Sequence, residues 1–163
     1  MENTDTEDIK LNCQWDVWYH HSLNNWAIGG YRKIFEIKTM RDFWEFHNNI
    51  DCLGGINNLH FFIMRAGITP IYEDIKNRNG GTWSMLVPLL KAYTSWEHIA
   101  IKLCGETLTQ NPLSITGISI NVKSDVSVIK IWNNNKTLNS VTQLPKIPNL
   151  QSEIIYRQHK LVN

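Results

Sequence analysis

Apolar and polar positions alternate from Trp15 to His20, which predicts a strand. Trp15, Val17 and Tyr19 fall on one face, Asp16, Trp18 and His20 on the other. The following H-S-L-N-N-W-A-I-G-G is a loop by its Ser, Asn and Gly content, and it carries Trp26. Tyr31 to Lys38 reads as a second strand. At Thr39 the period changes: Phe43, Phe46 and Ile50 recur at helical spacing, with Thr39 and Asp42 placed as a capping box. Trp44 lies off that stripe and shares a neighbouring face with Met40, four residues earlier. Periodicity alone leaves two readings there, a wide apolar face or an exposed patch for a partner.

Residues 52–58 form a loop, and Leu59 to Arg65 is an apolar strand. The stretch G-I-T-P-I-Y-E-D-I-K-N-R-N-G-G-T-W follows, turning into a strand from about Thr82 to Val87 that Pro88 stops. Thr94 and Glu97 predict another capped helix, running to about Cys104 and ended by Gly105. Trp96, Ile99, Ala100 and Leu103 make its core face, with His98 and Ile101 off it. Ile115–Val122 and Val126–Trp132 predict a hairpin. In its second strand Val128, Lys130 and Trp132 share one face, Ile129 and Ile131 the other. The Asn- and Pro-containing stretch 133–149 holds at most a short helix, and Glu153 to Tyr156 is a last edge strand. Strands outnumber helices and follow one another, so the fold class is α+β with a mainly antiparallel sheet. Residues 1–12 read as a disordered tail and 13–163 as one domain.

The 163 residues suit a single core, and 42% apolar content argues against wholesale disorder. A net charge of +1 excludes a wide electrostatic grip on duplex nucleic acid, but not a local stacking site for RNA. Cys13, Cys52 and Cys104 show neither a disulfide nor a zinc pattern, which suits a reduced compartment. The polar, acidic N-terminus resembles no signal peptide, and no apolar run reaches membrane length, so a cytoplasmic location is expected. Seven Trp is a heavy load for this length and points to a flat-ligand or partner site. The abundant Asn and Ile suit an AT-rich coding genome, a parasite's or a large DNA virus's.

Catalysis finds little support. G-x-S-x-G, H-E-x-x-H and P-loop patterns are absent. Beyond Glu7-Asp8 in the expected tail, Glu73-Asp74 is the one adjacent acidic pair, with no further acidic cluster to hold Mg²⁺, and no cofactor or metal is expected. A stacking site needs less. Two rings from separate loops can sandwich a flat base, and positive charge on that base adds cation–π attraction. A carboxylate at the rim accepts from the N1–H and amine of guanine, and Lys or Arg beyond it holds phosphate. Trp26, Tyr72, Glu73 and a basic strand face supply those parts.

W-D-V-W-Y, Trp26, T-M-R-D-F-W-E-F-H-N-N-I, the Gly67–Trp83 stretch, S-W-E-H-I-A-I-K-L-C-G-E, I-T-G-I-S-I-N-V-K and I-K-I-W occur in one order. Together, from about Trp15 to His159, they resemble the eukaryotic translation initiation factor 4E family, which binds the 7-methylguanosine cap of messenger RNA. The resemblance implies a curved antiparallel sheet with helices on its convex back and a cap slot on its concave side. It implies that Trp26 and Tyr72 are the stacking rings, with Tyr72 where the family usually has Trp. It makes Glu73 the guanine-reading carboxylate, Trp132 the contact to the N7-methyl edge and Lys123 a phosphate contact. Asp125 and Val128 stand at the next two basic positions and Thr82 at a frequent arginine. Lys130, on the face of Trp132 by strand parity, is the expected replacement.

On the back, the resemblance makes Trp44 the docking residue for a helical Tyr-x-x-x-x-Leu motif of a scaffold subunit or inhibitor, joined by Leu11, Met40, Ile101 and Gly105. His98 replaces a usual acidic residue there. Arg157, His159 and Lys160 stand where a loop contacting the nucleotides after the cap is expected. The implied protein is a monomeric translation factor that binds capped mRNA and recruits a scaffold. Its rivals are a cap-binding repressor and an adaptor that has lost the cap.

Overall fold

A computed structural model describes residues 8–22, 24–54 and 60–161. Seven strands form one sheet: β1 Lys10–His20, β2 Tyr31–Thr39, β3 His60–Arg65, β4 Gly81–Pro88, β5 Ile115–Lys123, β6 Val126–Asn133 and β7 Ile155–Gln158. Their spatial order is β2-β1-β3-β5-β6-β4-β7, and every pair is antiparallel. Two helices, α1 Met40–Asn48 and α2 Ala92–Cys104, cover one face, the convex back of a curved sheet.

Strand parity divides the apolar side chains between two clusters. Trp15, Val17, Phe61, Ile63, Trp83, Met85, Ile118, Ile120, Ile129 and Ile131 turn toward the helices and meet Phe43, Phe46, Trp96, Ile99 and Leu103 in the main core. The intervening positions Phe62, Met64 and Trp132 turn the other way and pack with Ile68, Trp18, Tyr31 and Tyr72. This second cluster is the floor of the concave face.

α1 starts as its capping box requires. Thr39 Oγ1 accepts from Asp42 N at 3.1 Å, and the Asp42 carboxylate accepts from Thr39 N at 3.0 Å. α2 departs from expectation. It begins at Ala92, two residues before Thr94, after a 3₁₀ turn over Leu89–Lys91, and its N-cap Lys91 makes no side-chain cap. Burial of Ala92 against the core outweighs the local cap at Thr94. Gly105 does end the helix, but in the right-handed region at φ −80°. The left-handed residue is Glu106 at φ 55°. Its carboxylate accepts from Arg65 Nη1 at 2.9 Å, an anchor that holds the strained turn. β1 also starts earlier than expected, so Lys10–Asn12 of the expected tail are strand, while residues 1–7 lie outside the described ones. The loop expected at 52–58 begins with a 3₁₀ turn over Ile50–Leu53, and its remainder from 55 lies outside the described residues. The last strand is displaced two residues, to Ile155–Gln158 at the sheet edge.

Candidate nucleotide slot

Trp26 sits on the loop between β1 and β2 and is 57% exposed. Tyr72 and Glu73 sit on the loop between β3 and β4. The two loops face one another across a cavity of about 790 Å³. Trp26, Tyr72, Glu73, Lys130 and Trp132 all line it, so five expected residues are brought together. Trp132 forms the floor, buried to 3%, with its indole N–H donated to Ser119 Oγ at 3.0 Å. Phe62 meets Trp132 edge-on at 5.9 Å.

The adjacent carboxylates have opposite duties. Asp74 ties the loop down: its Oδ2 accepts from Thr69 N at 2.9 Å and Thr69 Oγ1 at 2.6 Å, and its Oδ1 from Lys76 N at 2.8 Å. Burial pushes the Asp74 carboxyl up, but the bonds from Thr69 and Lys76 outweigh it and hold the group below its usual value. Asn77, fully buried, donates to Thr69 O and Ile71 O, both at 2.9 Å. Glu73 lines the cavity instead, and its carboxylate makes no hydrogen bond among the described residues. Gly80 and Gly81 close the loop because side chains do not fit. A Cβ at Gly80 would strike the Asn133 carbonyl, and one at Gly81 the Tyr156 ring.

Two lining residues, Tyr31 and His60, and the packing of His20 and His159 behind the rings escape a sequence reading. Tyr31, at the start of β2, keeps its phenol proton, with its pKa pushed up to about 12 by burial and by Tyr72 and Glu73. His60 is held neutral, its pKa lowered to about 3 by burial first and then by His20, Lys130 and Lys123. His20 stacks on Trp26 at 4.3 Å and 21°. His159 stacks on Tyr72 at 4.4 Å and 17°. The first stack spans six residues and the second 87, and no local pattern announces either.

A second groove, of about 1060 Å³, shares Tyr72, Lys130 and Lys160 with the first. Lys123, Arg157, Val128 and Thr82 also line it, with Glu153 as its one acidic wall residue among the described residues. Lys130 Nζ reaches the Tyr72 hydroxyl at 3.4 Å. Thr82 is the direct cross-strand partner of Arg157. Asp125, at the exposed tip of the β5–β6 hairpin, lines neither cavity.

On the opposite face, Met40 and Trp44 of α1 and Ile101 of α2 are exposed at 42%, 38% and 45%. Gly105 is exposed, His98 and Leu11 are half-buried, and Leu11 packs on the main core. Ile9, not foreseen, extends this patch through the bond from Met40 N to Ile9 O at 2.9 Å. Among the described residues, no group of three or more His, Cys, Asp or Glu could hold a metal ion, and no helix is long and apolar enough to cross a membrane.

The sheet thus combines an aromatic-lined slot on its concave face with exposed apolar side chains on its dorsal helices. Residues 10–161 match the family model described as eukaryotic initiation factor 4E, and the chain belongs to that family. It is 27% identical over 142 residues to translation initiation factor 4E-3 of Caenorhabditis elegans, covering 80% of this chain and 56% of the relative. It is 33% identical over 132 residues to initiation factor 4E-1 of Glycine max, covering 77% and 54%. The chain thus spans about half the length of the curated relatives it matches. Among solved structures, it resembles C. elegans initiation factor 4E-3 in complex with the 4E-binding protein Mextli and a cap analog. That match has a TM-score of 0.72 and 25% identity, over 80% of this chain and 76% of that one. Ascaris suum initiation factor 4E-3 with the m7G cap shares the fold, with a TM-score of 0.71 and 24% identity over 80% and 76%.

Proposed function

We propose that the chain is a cytoplasmic cap-binding translation factor that holds 7-methylguanine between Trp26 and Tyr72 and does not act as an enzyme. One observation carries this reading: two aromatic rings from separate loops line one cavity with a carboxylate that has no hydrogen-bond partner among the described residues. The methylated base is cationic and flat. It gains stacking from both rings and cation–π attraction of about 0.5–2 kcal/mol per favourable ring. Glu73 accepts from N1–H and the exocyclic amine, and Trp132 supports the N7-methyl edge from below. The solved relative with a cap analog and Mextli supports both the slot and a partner-binding role.

The phosphates run from the slot into the second groove, over Lys130 toward Arg157 and Lys160, with Lys123 beside them. Arg157 supplies, from the neighbouring strand, the guanidinium that Thr82 cannot. Asp125 stays clear of this path. The dorsal residues Ile9, Met40, Trp44 and Ile101 receive an amphipathic helix of the Tyr-x-x-x-x-Leu type, from a scaffold subunit or a competing inhibitor. A labelled peptide of that type, titrated with 7-methyl-GTP already bound, tests both sites together. The peptide binds the cap-loaded protein, and Trp44→Ala abolishes peptide binding while leaving nucleotide affinity intact. Loss of both ligands in Trp44→Ala, with the fold intact, contradicts two independent sites.

A further inference from the structure

His20 and His159 occupy equivalent places at the two jaws of the slot. His20 is the last residue of β1, and its Nε2–H donates to Asn25 O at 2.7 Å, on the residue before Trp26. Its ring plane covers one face of Trp26 at 4.3 Å. Trp26 lines the cavity and His20 does not, so the imidazole lies behind the jaw. His159 follows β7, and its Nδ1–H donates to Asn77 O at 2.7 Å, within the loop that carries Tyr72. Its ring covers Tyr72 at 4.4 Å, and its own backbone N–H bonds Gly80 O at 3.0 Å. Both histidines are buried, to 8% and 5% exposure. In each case one ring nitrogen bonds the carbonyl of the jaw's own loop, and the ring face meets the jaw's aromatic.

We propose that His20 and His159 are the positioning residues of this slot, each setting one stacking ring through a plane-to-plane contact and a carbonyl bond. The inference rests on the cap-slot reading and adds to it how two loop aromatics are held ready. An exposed ring on a polar loop otherwise samples several rotamers, and binding must then order it at a cost in affinity. A ring already stacked on a buried imidazole has lost that freedom before the base arrives. Both histidines are placed by strands at opposite ends of the chain, so the slot depends on β1 and β7 as much as on its own loops.

The test uses the full chain with four substitutions: His20→Ala, His20→Phe, His159→Ala and His159→Phe. Each is titrated with 7-methyl-GTP, and the C–H protons of His20 and His159 are followed by NMR in the free parent, Trp26→Ala and Tyr72→Ala. The alanine variants bind about tenfold more weakly, and the phenylalanine variants, which keep a flat ring, recover to within about threefold of the parent. In the free parent both imidazoles show upfield ring-current shifts. Those of His20 shrink in Trp26→Ala and those of His159 in Tyr72→Ala, leaving the contributions of Tyr31 at 4.6 Å and Trp132 at 5.2 Å. Alanine variants within twofold of the parent, or phenylalanine variants as weak as alanine, overturn the proposal. If His159→Ala does not fold, His159→Phe and the ring-current shifts decide for that jaw. A parent that binds no 7-methyl-GTP ends the cap reading, and the ring-current shifts then decide the positioning role alone: shifts that Trp26→Ala and Tyr72→Ala leave unchanged refute it.

Discussion

The slot and the groove beside it are built on opposite plans. The slot is assembled from residues held by specific partners: Trp26 on His20, Tyr72 on His159, Trp132 by Ser119, and the Tyr72 loop by Asp74 and Asn77. The groove is lined by long cationic side chains, and Lys123, Arg157 and Lys160 stand exposed on strand and loop surfaces. A flat ring needs rigid walls at fixed spacing, so packing specifies the slot. A phosphate chain needs only nearby positive charge, and charge can be moved one strand over without loss. Under the proposed function, Arg157 opposite Thr82 is such a move.

The two plans predict different responses. Trp26→Ala and Glu73→Gln give the largest effects. Each weakens 7-methyl-GTP binding by about 10- to 100-fold, from lost stacking of about 1–3 kcal/mol or a lost charged hydrogen bond of about 1.5–3 kcal/mol. Trp26→Ala reduces the preference for the methylated base to what Tyr72 alone supplies, and Glu73→Gln erodes the preference for guanine over adenine. Arg157→Ala and Lys130→Ala come next, about 3- to 10-fold at low salt. They act equally on methylated and plain nucleotides, and each lowers the salt slope by about 0.7. If either altered base preference, the division between walls and charge would fail. Asp125→Lys, outside both cavities, changes affinity less than about twofold in the same titration.

The smallest effect is on acid stability. His60 is neutral in the fold with its pKa lowered to about 3, whereas in the unfolded chain it returns to 6.5. Between those values the unfolded state binds more protons, so stability falls as pH falls below about 6.5. The loss reaches about 1–2 kcal/mol at pH 5. His47 and His159, also lowered by burial, add in the same direction. His60→Phe flattens that acid limb in chemical unfolding followed from pH 7 to 5. An unchanged slope would remove His60 from the account.

Much of this plan is legible in the sequence where physics is local. Val128, Lys130 and Trp132 share a face because strands have period two, and both cavities confirm that parity. Trp26 stands out because a tryptophan on a polar loop has no core to explain it. Tyr72 and Glu73 stand out as an aromatic beside a carboxylate. Non-local pairings stay hidden. Nothing near His159 indicates Tyr72, 87 positions earlier, and the stack exists only because β7 pairs with β4. The split between Glu73 and Asp74 depends on where Thr69 and Lys76 amides point, which no spacing shows. β1 runs back to Lys10, and there Leu11 and Cys13 continue the alternation of Trp15 and Val17 onto the main core, so this half is legible and the expected tail overruns it. Thr94 misled because a favourable cap is weaker than burial of the preceding turn.

The central claim is that the slot grips a cationic purine, and a paired titration reaches it most directly. Tryptophan fluorescence is followed as 7-methyl-GTP and unmethylated GTP are added to the intact chain at equal ionic strength. Both nucleotides carry the same phosphates, so the groove contributes equally and the difference reports the walls. Cation–π attraction at two rings predicts at least about tenfold tighter binding of 7-methyl-GTP. Equal affinities would contradict the claim, leaving the groove as a general phosphate site and the slot without its ligand.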